Sequence, residues 1–152
     1  MNPADFDARL RQAVSRTMET MAFAEVEPDV SGGAPVPPDA LLTRIAVLEP
    51  MSSTLILAAT RPFLAEIGET ILTLPEAEIS EQASLDLLSE LLNTLAGCLM
   101  TLLLPADQSF RLGLPEPLAR EGLDLQDLSA WPFTVNGKGF CLFVNQSLMD
   151  QI

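Results

Sequence analysis

Glu90 and Asn93 stand three residues apart in the stretch SELLNTLAG (89–97), with Asp86 one turn before them and Gly97 one turn after. The stretch lies in one of the most apolar parts of the chain. At 3.6 residues per turn, Gln82, Asp86, Glu90, Asn93 and Gly97 fall on one stripe of a helix, and Glu90 and Asn93 project side by side. Leu85, Leu88, Leu92, Leu95, Leu99 and Leu102 fall on the core-facing side, with Leu87, Leu91 and Cys98 on the flanks. Any core helix needs a wet face, and Glu with Asn is ordinary there. Gly97 is not, because glycine costs about 0.5–1 kcal/mol relative to alanine in a helix interior. It fits a place that another backbone or a bulky partner approaches. The stripe therefore reads as a docking surface that presents a carboxylate and an amide.

Other chemistries are excluded by composition. The 152 residues contain no histidine, which removes Ser-His-Asp and Cys-His catalysis and the commonest metal ligand. The two cysteines, Cys98 and Cys141, lie far apart in apolar sequence with no CxxC spacing, and read as reduced core thiols rather than a metal or redox site. Net charge is −13, and the eight basic residues are scattered without a stripe, so neither nucleic acid nor an anionic membrane is an expected partner. MNPADFDARLRQ has no apolar signal core, which predicts a cytoplasmic protein. The apolar run from Leu91 is of core-helix length, is interrupted by Asn93 and lacks basic anchors, so it is expected in a soluble core rather than a bilayer.

The elements that must position the stripe follow from periodicity. Phe6, Leu10, Val14, Met18 and Met21 predict an amphipathic helix over 5–22, capped near Asp5. A Pro/Gly-rich loop occupies 27–39. Segments 42–49 and 53–60 predict an antiparallel strand pair across Pro50 and Ser52. Helical spacing resumes over 61–74 with Pro62 in the first turn, and the central helix begins at Ser80 and ends before Pro105. Strands are expected at 109–115, 132–135 and 140–146, the last two joined by an Asn136-Gly137 hairpin turn. Residues 116–130 connect them without a defined shape. The apolar edge of that closing hairpin could pair with a second copy, and Trp131 reads as a core cap. Helix and strands thus occur twice, in a single α+β domain over 1–152: an antiparallel sheet covered by helices, one of them long and central. Ser15, Thr20 and Ala22 match Ser89, Thr94 and Ala96, a faint internal duplication.

The pattern Asp86-x3-Glu90-x2-Asn93-x3-Gly97 on a helix, followed by a strand ending in GLP (113–115), resembles the CheC/CheX/FliY family of chemotaxis phosphatases. The likeness spans the chain from the first helix to the closing hairpin, but only 86–97 is specific. Glu90 and Asn93 match the family's signature pair, whereas the first helix carries Arg16 and Glu19 at those positions. One intact motif per chain is most similar to the CheX branch. The resemblance implies a phosphatase for the aspartyl phosphate of a CheY-type response regulator, with a possible homodimer. It implies no cofactor on this chain, since Mg²⁺ and a lysine belong to the receiver. Asn93 would orient the attacking water and Glu90 would meet the receiver's lysine, with Asp86 and Ser89 at the contact's rim and Gly97 letting the receiver's loops approach. The alternative is a catalytically silent adaptor of the same fold in a two-component or flagellar complex.

Overall fold

The computed structural model describes residues 1–31 and 36–152. Its first helix, α1 (Pro3–Ala22), starts two residues earlier than the apolar spacing predicts. Asn2 is the cap, its side chain accepting from the Asp5 N–H at 2.9 Å, and Pro3 needs no donor in the first turn. The expected 27–39 loop contributes a two-residue strand, β1 (Glu27–Pro28), and its residues 32–35 lie outside those described. Then come the expected pair β2 (Leu41–Glu49) and β3 (Ser53–Ala59), and α2 (Arg61–Leu72), capped by Thr60. The central helix, α3 (Glu81–Leu103), is capped by Ser80, whose hydroxyl accepts from the Ala83 N–H at 3.1 Å.

The last third departs from the sequence reading in three places, one of them the first strand of the closing hairpin, which begins at 128 and not at 132. Of the strand expected at 109–115, only β4 (Arg111–Leu112) pairs, and β5 (Glu116–Pro117) follows inside the segment left shapeless. The closing hairpin is β6 (Leu128–Val135) and β7 (Lys138–Asn145), and Gln146 opens a short helix, α4 (Gln146–Gln151), instead of ending a strand. Asn145 is the reason: its side chain accepts from the Ser147 N–H at 2.9 Å, a helix cap that strand propensity does not register. Asn136 and Gly137 both take positive φ, 50° and 77°, as a two-residue hairpin turn requires.

Among the described residues the strands form one antiparallel sheet in the order β1-β6-β7-β3-β2-β4, with β5 also on β2. The chain runs α1-β1-β2-β3-α2, then α3-β4-β5-β6-β7-α4. Each half lends its short strands to the other half's outer strand: β1 pairs with β6, and β4 and β5 pair with β2. The helices cross over too, α1 packing on β6 through Phe6 and Trp131, and α3 on β2. The halves are interlocked.

The core lies between the sheet and α1, α2 and α3. On α3, Leu88, Leu92, Leu95 and Leu99 are buried as expected, each contributing about 1.5–3 kcal/mol of apolar transfer. Leu87 and Leu91, placed on the flanks by periodicity, are fully packed, while Leu85 and Leu102 are only half-buried. Neighbouring helices cause both shifts: Leu87 lies under α2 by Gly68, and Leu91 faces Thr17 of α1. The sheet's other face is smaller, with Leu42, Ile56, Ala58, Cys141 and Phe143 covered by Val36 and Leu118. Arg120 clamps that cover, donating to the carbonyls of Pro37 at 2.7 Å and Val36 at 3.0 Å.

Candidate functional site

By length and composition α3 could cross a membrane, yet its apolar side is spent on the sheet and on α1. The rest of its surface is a strip on which Gln82, Asp86, Glu90, Asn93, Thr94 and Thr101 are exposed and Gly97 is half-buried. The structure thus brings together four of the five residues singled out from the sequence. Gln82 donates to Asp86 at 2.9 Å, and Thr101 donates to the Gly97 carbonyl at 2.8 Å. Among the described residues, Glu90 and Asn93 make no side-chain hydrogen bond, and no cation pairs with Glu90. Both functional groups are held on a rigid helix with their bonding capacity unspent.

Ser89, the fifth residue, sits differently. It is half-buried on the flank toward β2, its hydroxyl 3.1 Å from that of Thr43. Thr43 gives its own proton to the Glu116 carbonyl at 3.0 Å, so Ser89 is the donor to Thr43. Ser89 therefore ties the motif turn of α3 to the β2–β5 edge, a contact that a one-dimensional pattern does not reveal.

Gly97 has no structural reason inside the chain. A Cβ there meets nothing within 4 Å among the described residues, so none of them demands the glycine. Gly68 is the contrast: its Cβ would lie 2.9 Å from Ile79 Cδ1 and 3.6 Å from Leu87 Cδ2, so a side chain there would have to displace the end of Ile79. Both cysteines are free thiols. Burial under the Val36 cover pushes Cys141 up to about 12, far from a reactive thiolate. Among the described residues, no group of three His, Cys, Asp or Glu side chains could hold a metal. Trp131 is 8% exposed and donates to Asp7 at 2.9 Å.

No family model matches the chain, and neither does any curated protein. Solved structures do match. A chemotaxis protein CheX from Vibrio vulnificus aligns over 92% of this chain and 95% of its own at TM-score 0.74 and 14% identity. A CheC-like superfamily protein from Shewanella sp. PV-4 aligns over 95% and 98% at TM-score 0.71 and 20% identity. The fold is that of the CheX and CheC-like proteins. The same fold occurs in the CheX–CheY–BeF3–Mg²⁺ complex from Borrelia burgdorferi, which matches over 92% and 96% at TM-score 0.66 and 13% identity. Within this fold the strip on α3 is where the sequence motif and an unpartnered surface coincide.

Proposed function

We propose that the protein is a cytoplasmic aspartyl-phosphate phosphatase for a CheY-type receiver, one domain over 1–152 with one active site per chain. The observation that carries this reading is the exposure of Glu90 and Asn93, adjacent and unpartnered, on a helix anchored by buried leucines. The likeness to a CheX solved together with CheY, BeF3 and Mg²⁺ supports the choice of partner.

An acyl phosphate is already reactive, and the receiver supplies the metal, so the phosphatase has mainly to position water. The Asn93 carboxamide suits that role: its carbonyl accepts from the water while its NH₂ reaches a phosphoryl oxygen. Water attacks phosphorus in line with the bond to the aspartyl oxygen. The carboxylate leaves with the bonding pair, and the water's proton passes to the departing phosphate. Glu90 gains a cation when the receiver's lysine meets it, which fixes the register of docking. Asp86 and Gly97 border that contact, Gly97 by letting the receiver's backbone come close. Ser89 holds the motif turn against β2.

The test is phosphate release from a panel of phosphorylated receivers of the same organism. Acceleration by the parent protein, abolished in Asn93→Ala, is the expected result; parent and variant alike in rate would overturn the mechanism. A silent adaptor would bind a receiver without changing its rate of phosphate loss. Because a receiver's pocket is itself acidic, a partner at −13 is not drawn in by long-range charge. Raising ionic strength is therefore expected to speed association or leave it unchanged, as stopped-flow mixing would show.

A further inference from the structure

Between β4 and β5 the sheet edge carries one residue too many. The Gly113 N–H donates to the Ala46 carbonyl at 2.8 Å, and Glu116 stands opposite Arg44, so Leu114 and Pro115 together face the single residue Ile45. This is a β-bulge, a device that re-aims a side chain at a sheet edge. Here it turns Leu114 out to 86% exposure. The perch is firm, because both flanks are bonded to β2: Gly113 to Ala46, the Glu116 carbonyl to Thr43, and the Leu118 N–H to the Leu42 carbonyl at 2.9 Å.

The bulge lies level with Asn93. Helix α3 and strand β2 advance together, since Ser84 shares a cleft with Leu41 and Ser89 bonds to Thr43. From Thr43 to Ile45 the strand rises about 6.6 Å, and from Ser89 to Asn93 the helix rises about 6 Å on the same side. A standard protein interface covers about 800 Å² per partner, a disc of about 16 Å radius. A domain seated on Asn93 therefore reaches the neighbouring sheet edge.

We propose that Leu114 is an apolar contact for the same receiver that Asn93 addresses, seated in a nonpolar depression beside its phosphorylation pocket. This rests on the phosphatase reading and deepens it. A chain at −13 gains nothing from charge at a distance when it approaches an acidic phosphorylation pocket, so affinity must come from local contacts, and the bulge offers an apolar one beside the polar pair. Leu114 would then act on association, not on the aimed water.

The experiment compares Leu114→Ser, Leu114→Met and Asn93→Ala against receivers loaded with beryllium fluoride and Mg²⁺ for binding, and phosphorylated for turnover. Leu114→Ser is expected to raise Kd and KM about tenfold or more with kcat retained, the order set by burying one leucine. Leu114→Met should restore both, and unchanged thermal unfolding would separate the effect from folding. Kd and KM within twofold of the parent in Leu114→Ser, with Asn93→Ala inactive, would overturn this inference and leave the phosphatase standing. If the parent binds a receiver but does not dephosphorylate it, Kd alone decides on Leu114. No binding and no turnover with any receiver would sink both.

Discussion

Helices α1 and α3 are two versions of one design, and only one of them presents the candidate site. Aligned so that Ser15 meets Ser89, the segments Gln12–Ala22 and Asp86–Ala96 share the same degree of burial everywhere except at Met21 and Leu95. Ala13, Val14, Thr17, Met18 and Ala22 are buried where Leu87, Leu88, Leu91, Leu92 and Ala96 are. Arg16 and Glu19 are exposed where Glu90 and Asn93 are. The matching burial identifies a duplicated platform; the side chains on it decide the chemistry. Where α3 continues through Gly97, α1 stops, with Phe23 in the left-handed conformation at φ 51° and 86% exposed. The first copy carries Arg16 and Glu19 in place of the signature pair, and it ends where α3 stays open to approach.

The sharpest way to break that comparison is to truncate equivalent positions. Asn93→Ala should lower turnover on a phosphorylated receiver on the order of a hundredfold or more, as when one positioned polar group is removed. Glu19→Ala should leave turnover unchanged, and melting temperatures of both should stay near the parent because both side chains are exposed. Equal losses in the two variants would mean that α1 carries function after all.

A smaller effect probes the buried side. Thr17 occupies the place of Leu91, and among the described residues its buried hydroxyl has no hydrogen-bond partner, in an apolar gap lined by Val14, Leu57 and Phe140. Thr17→Val keeps the shape and removes the orphaned group, and should stabilise the fold by about 1 kcal/mol in urea unfolding.

Gly97→Ala tests the third difference. With open space around it, the substitution should stabilise by about 0.5–1 kcal/mol while weakening receiver binding. Greater stability with unchanged binding would show that close approach at Gly97 is not used.

The smallest effect lies where α1 meets β6. The Arg11 guanidinium, bonded to Asp7 at 2.9 Å, holds the Asp7 carboxyl below its ordinary range, against a smaller opposing desolvation and with help from Trp131. A depressed carboxylate contributes stability above its unfolded pKa, and the contribution is lost as pH falls through the lower folded value. The Tm advantage of the parent over Asp7→Asn should therefore be present at pH 6 and shrink below about pH 4. The pair is exposed enough for salt to reduce it.

Much of this molecule was legible in one dimension. The cap at Ser80, the strand pair around Pro50 and the Asn136-Gly137 turn are local chemistry, and local chemistry is written in neighbouring residues. The stripe Asp86, Glu90, Asn93, Gly97 was legible for the same reason, since a helix converts spacing directly into a face. Leu87 and Leu91 were misplaced because a helix wheel knows one helix only, and α1 and α2 add burial from the sides. The short strands β1 and β5 were hidden, and β4 was drawn too long, because two residues carry no periodicity and their pairing depends on a distant partner strand.

By itself, then, the sequence determined the longer elements, the duplicated order and a polar pair on one side of a leucine-rich helix, all consequences of interactions within a few residues. The tertiary structure alone decided that the halves interlock through exchanged edges, that Ser89 reaches across to Thr43, and that a bulge beside β2 turns Leu114 outward. Those outcomes depend on which residues meet across the sheet, and spacing along the chain holds no record of that.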